Sequence, residues 1–135
     1  MMAAFHAGLV YGAVIFALGF VLGTVRELWL APLLGRDAVV LFEGPLILLA
    51  AWFLAWWLIR GHGVPGLAGQ RLLMGAVGLA LGMAGEMAVA VFGFGRTLAM
   101  QLSIYATTQG MLELMPQVAF GLLPLLHLIR ERFTR

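Results

Sequence analysis

The 135-residue chain contains no cysteine, no lysine and no asparagine. The lack of cysteine excludes disulfides, thiolate metal sites and cysteine nucleophiles. The lack of lysine leaves arginine as the sole basic residue type, at eight positions. Charge of either sign is scarce: 10% of residues are charged, against roughly 25% in a soluble domain. So little charge cannot keep a soluble surface wet. With 63% of the residues hydrophobic, the composition calls for a lipid bilayer as solvent. The net charge is only +2. No basic cluster is interleaved with aromatics, so nucleic acid is not an expected partner. Signatures of hydrolases, metalloproteases and phosphotransferases are missing as well. The sequence therefore leans against an enzyme and leaves any cofactor unknown.

What is present is length in apolar runs. A membrane-crossing helix needs about 20 mostly apolar residues, and four stretches supply them: 7–25, 38–59, 72–94 and 97–129. The first run lacks a basic segment before it and exceeds a signal-peptide core, so it is expected to be a retained helix. The fourth is too long for one straight helix across a core ~30 Å thick. It is expected to start at the interface, tilt, or break near Gly110 and Pro116. Pro32, Gly35, Arg36 and Asp37 punctuate the first connector, with Asp37 as the expected N-cap of the second span. The central loop is rich in glycine, from Gly61 to Gly69. Arg60, Arg71, Arg130, Arg132 and Arg135 lie on the side of that loop, and Arg26, Arg36 and Arg96 on the other. The positive-inside rule then places both termini in the cytoplasm, in the inner membrane of a bacterium. Trp52, Trp56 and Trp57 fit an aromatic belt at the cytoplasmic interface.

The two halves resemble each other. Gly12-Ala13-Val14 and Ala17-Leu18-Gly19 recur as Gly75-Ala76-Val77 and Ala80-Leu81-Gly82, at an offset of 63. At an offset of 70, Arg26 matches Arg96, Glu43 matches Glu113, and Leu58-Ile59-Arg60 matches Leu128-Ile129-Arg130. The difference of seven residues is about two helical turns, so the same faces stay aligned. The expected fold is an all-α bundle of four transmembrane helices in a single domain. It is built as two repeated hairpins related by a pseudo-twofold along the membrane normal. Chance matching within apolar sequence is the plainer alternative.

Charge within a bilayer is costly unless paired, hydrated or neutralised. This directs attention to Glu43, Glu86 and Glu113, with Arg26, Arg36 and Arg96 as candidate partners. Glu86 and Glu113 are expected near mid-membrane, and Glu43 nearer the outer face. An Arg26–Glu43 pair and its repeat mate Arg96–Glu113 would either lock helices together or serve function. Glu86 has no basic residue close to it in its own helix, and desolvation favours a neutral carboxyl. It is therefore the residue best suited to exchange a proton or bind a cation. Gln101, Tyr105, Thr108, Gln109, Glu113 and Gln117 form a polar stripe that must face the bundle or a wet cavity. Pro116 and Pro45 release the carbonyls of Leu112 and Leu41 from their helical ladders. The candidate ligand- or ion-binding residues are Glu86, Glu113, Glu43, Arg26, Arg96, Gln109, Gln117 and Tyr105; no metal site is expected. Met83/Met87 and Met111/Met115 flank two of the glutamates, as soft-cation ligands or as adaptable core filling. Gly8/Gly12, Gly19/Gly23 and Gly78/Gly82, with the stripe Ala76, Ala80, Ala84 and Ala88, are expected packing faces.

Three functional classes follow. The first is a small transporter or channel that passes a proton, cation or small polar solute by the buried glutamates. The second is an accessory or assembly subunit of a larger membrane complex. The third is a lipid- or cofactor-binding membrane protein. Beyond the bilayer, the expected partners are further copies of the chain or other membrane subunits.

Overall fold

The computed structural model describes residues 2–134, with the side chains of Glu27, Ala31, Arg36, Asp37, Val40, Gln109 and Glu113 excepted. Helix α1 (Met2–Val25) runs into a π-helical turn (Arg26–Leu30) and a short α2 (Ala31–Leu34) before α3 (Arg36–His62). The same order then recurs. Helix α4 (Ala68–Ala88) runs into a second π-helical turn (Val89–Gly93) and a short α5 (Leu98–Ile104) before α6 (Thr108–Phe133). Four stretches are long and apolar enough to cross a membrane: Met2–Leu30, Leu41–His62, Ala68–Gly93 and Gly110–Phe133. Helix suits such a chain because lipid offers no hydrogen bonds, and a helix satisfies its backbone within itself.

Local chemistry sets the ends. Gly63 closes α3 in a left-handed conformation (φ +63°), where a Cβ is disfavoured, and its N–H turns back to Arg60 O. Thr97 caps α5 and Thr107 caps α6, each through a hydroxyl that accepts the amide three residues on. Two expectations need correction here. Residue 35, not Asp37, precedes α3: Gly35, at φ +86°, occupies the cap position without a side-chain bond, and Asp37 falls in the first helical turn. The last apolar stretch breaks at residues 105–107, ahead of Gly110 and Pro116. The Thr107 cap starts a new helix there, and Gly110 lies so close to the Ile104 carbonyl that a side chain would not fit.

Helix α1 packs beside α3 and α4, and α6 packs beside the same two helices. The ring order is thus α1, α3, α6, α4. Up-and-down connections make α1 parallel to α4 and α3 parallel to α6. A twofold along the bundle axis would place matching helices on diagonals. Here α1 lies next to α4 and α3 next to α6, so the expected pseudo-twofold along the membrane normal does not describe this arrangement. The two hairpins instead lie side by side. The connectors α1–α3 and α4–α6 share one end of the bundle, called here the connector end. The termini and the α3–α4 loop share the other, the terminal end.

The buried apolar core lies mostly at the terminal end: Ala4, Ala7, Tyr11, Ala51, Ala55, Leu58, Met74 and Phe120 belong to it. Glycine permits the closest approaches. A Cβ on Gly12 would stand 2.5 Å from the Gly78 carbonyl oxygen, and one on Gly8 2.7 Å from that of Met74. A Cβ on Gly75 would collide with the Gly121 carbonyl, so α4 has tight backbone contacts with both α1 and α6. Toward the connector end these contacts lapse. Gly19 and Gly82 lie on the same faces as Gly12 and Gly78, yet a Cβ on either meets nothing within 4 Å. The Phe16 ring reaches across to Gly85 where the backbones have parted.

Candidate functional site

The parted half of the bundle carries the polar residues. Arg26 opens the first π-helical turn, and Glu43 lies one and a half to two turns into α3. Arg26 Nη1 donates to Glu43 Oε2 at 2.7 Å, with the two side chains only 16% and 12% exposed. The expected pair is therefore formed, and it ties the end of α1 to α3.

Glu86 lies on α4, with Gly93 at the end of the same span. At about 1.5 Å per residue it sits roughly 10 Å from the connector end. That is short of the mid-span depth expected for it. Its carboxylate collects donors from two other elements. Gln117 Nε2, on α6, donates to Glu86 Oε1 at 2.9 Å and to Oε2 at 3.1 Å. The Tyr105 hydroxyl, just past α5, donates to Oε2 at 3.4 Å. Gln117 Oε1 is buried and, among the described residues, receives no hydrogen bond. The neighbouring Pro116 lies against α3, where a Cβ on Gly44 would stand 3.1 Å from its Cγ. Residues 116–117 thus touch α3 on one side and Glu86 on the other, which brings the Arg26–Glu43 pair and the Glu86 cluster into one layer.

The remaining sequence candidates divide. Arg96 donates to Gln101 Oε1 at 3.2 Å across the α4–α6 connector. The pairing expected between Arg96 and Glu113 falls on a side chain outside the described residues, as does the expected part of Gln109. The backbone of Glu113 lies in the second turn of α6, and mid-helix is taken by Phe120 and Gly121. Met111 and Met115 are exposed on the outside of α6, directed away from the cluster, so they offer it no thioether.

A second polar network, at the terminal end, was not legible in the sequence. Arg71, counted there as a loop charge, is 2% exposed. Its guanidinium donates to the Pro65 and Pro124 carbonyls and to the Glu131 carboxylate, at 3.2 Å in the closest contact. It fastens the central loop to α6. His127 is buried, within 2.9 Å of the Trp52 carbonyl through Nε2, with its ring stacked 3.7 Å from the Trp52 ring. Trp52 therefore belongs to the interior, while Trp56 and Trp57 are exposed as an interfacial belt requires. An open apolar groove of about 560 Å³, lined by Leu67, Gln70, Leu73 and Ala76, lies at the foot of α4, away from Glu86.

Comparisons with protein-family models, with curated proteins and with solved structures found no match. The functional reading rests on the geometry above.

Proposed function

We propose that this is a small membrane protein that moves a proton or small cation, with Glu86 as the carboxylate that takes it up. The observation that carries the reading is the meeting of Glu86, Gln117 and Tyr105. Two elements bring neutral donors to a carboxylate held by a third inside an apolar bundle, and polar groups at such a depth are by default functional. The free space at Gly82, one turn before Glu86, supports access from the connector end, the outer side if both termini are cytoplasmic, with the Phe16 ring standing against Gly85 beside it. The tight core at the terminal end supports a closed state on the other side.

The test is reconstitution in liposomes with a pH-sensitive dye inside. Wild type is expected to dissipate an imposed proton or cation gradient, and Glu86→Gln is expected to fall to the leak of empty liposomes. Wild type without flux, or a Glu86→Gln variant as fast as wild type, would remove the reading.

One observation favours a second reading, as a subunit that docks on other membrane helices or on its own copies. Helices α1, α3 and α6 expose many large apolar side chains, whereas α4 exposes, beyond Leu72, the smooth stripe Ala76, Ala80, Ala84 and Ala88. Small residues let helices approach closely in lipid. Purification in mild detergent separates the readings, since a lone monodisperse monomer would count against docking.

A further inference from the structure

The reading above leaves the ion unnamed, and the Gln117 side chain bears on its identity. Its amide nitrogen is committed to both oxygens of Glu86. Its amide oxygen is buried and receives no hydrogen bond from any described residue. A buried acceptor without a donor is uncommon in a folded protein and asks for an explanation. A proton on Glu86 would neutralise the carboxyl but, with the Gln117 amide nitrogen turned to it, would leave the amide oxygen without a donor. A bound cation would satisfy both groups together.

We propose that Gln117 Oε1, the Glu86 carboxylate and the Tyr105 hydroxyl oxygen form a binding site for a monovalent metal cation of the sodium or potassium class. This rests on the reading of Glu86 as the ion-accepting carboxylate and adds what the ion is. The chemistry of the donor set selects the class. Every donor is an oxygen, which suits a hard cation. The exposed Met111 and Met115 leave no sulfur from α6 to recruit a soft one. Among the described residues the donors are one carboxylate and neutral oxygens, whereas calcium sites gather several carboxylates. Pro116 brings no N–H to the Leu112 carbonyl one turn earlier, so a backbone oxygen on the same helix is released from its ladder. Gly44 packs against the Pro116 ring and so supports the neighbouring residue 117 from the α3 side.

The experiment uses the full chain in lipid nanodiscs and an apolar carbodiimide, which attacks protonated carboxyls. Modification of Glu86 is followed by mass spectrometry with sodium, potassium, lithium or choline chloride at equal ionic strength. Sodium or potassium is expected to slow labelling about tenfold at a concentration roughly ten times its dissociation constant, as mass action requires, and choline is expected not to. Gln117→Leu should be labelled without cation protection, and Gln117→Asn should be protected only weakly; wild-type helical circular dichroism and monodisperse elution report that each variant is folded. Labelling of wild type that ignores all three metal cations overturns the inference and leaves a proton as the ion. Protection that persists unchanged in Gln117→Leu overturns the role given to its amide oxygen. Failure to label Glu86 at any pH removes the accessible carboxyl on which both this inference and the transport reading stand.

Discussion

Tyr11 and Pro124 are coupled across the bundle. Proline has no N–H, so Pro124 cannot bond the Phe120 carbonyl four residues earlier. The Tyr11 hydroxyl takes its place, donating to Phe120 O at 2.7 Å with the two rings stacked 4.1 Å apart. In lipid no water stands ready to substitute. Tyr11→Phe keeps the stack and removes the donor, so it should destabilise the fold by about 1–2 kcal/mol. Pro124→Ala restores an N–H to that carbonyl. In its presence the cost of Tyr11→Phe should fall to a few tenths of a kcal/mol, the signature of coupled neighbours in a double-mutant cycle. Unfolding of the four proteins in mixed micelles measures this, and equal costs of Tyr11→Phe on both backgrounds would break the link. The sequence displayed Tyr11 and Phe120 but held no hint of their contact, because 109 positions separate them and neither belongs to a local pattern. Arg71 and Glu131 escaped for the same reason. By contrast, Arg26 and Glu43 flank one connector, and their pairing followed from span boundaries alone.

At the scale of elements, the glycines of α4 decide how close its neighbours come. Gly75→Ala places a methyl group on the Gly121 backbone, which cannot yield as a flexible side chain would. Overpacking of this kind costs about 1–3 kcal/mol. Gly19→Ala meets nothing within 4 Å and gains helix propensity, so it should be neutral or stabilising by up to about 1 kcal/mol. Comparable losses in the two variants, measured by the same unfolding assay, would contradict the packing described. The small-residue steps were legible in the sequence as packing faces. Which of them pack was not, because spacing fixes a face and not its neighbour: Gly8/Gly12 close on α4, while Gly19 lies open. The resemblance between the two halves was read from sequence offsets alone. The π-helical turns at residues 26–30 and 89–93 recur at the offset of 63 seen for Gly12 and Gly75. They align Arg26 with Val89, however, so the match of Arg26 to Arg96 does not join equivalent positions. The extra residues of the second half lie in the connector that holds α5. Helix count and the polar face of the last span came from composition and period. The side-by-side placement of the hairpins came from helix contacts that no periodicity encodes.

The molecule as a whole is uneven along its axis. One half holds the apolar core and the closest glycine contacts, with the Arg71 and His127 network among them; the other carries the Arg26–Glu43 pair and the Glu86 cluster. This asymmetry predicts which depths water reaches, and the chain suits the measurement because it has no cysteine of its own. Single cysteines at exposed Phe94 and His62 should react with a charged, membrane-impermeant thiol reagent from opposite sides of sealed vesicles, as four crossings require. Gly82→Cys has no atom within 4 Å of its Cβ and should react from the Phe94 side alone. Met74→Cys, fully buried in the terminal half, should react from neither side until the protein is unfolded. Reaction of residues 62 and 94 from the same side would break the four-span arrangement. Shielding of residue 82 from both sides would close the approach to Glu86 and leave its contacts with Gln117 and Tyr105 as a structural lock. Labelling of residue 82 that slows in sodium relative to choline would instead place the ion and the crevice on one path, because a cation seated at Gln117 blocks the space that the reagent must cross.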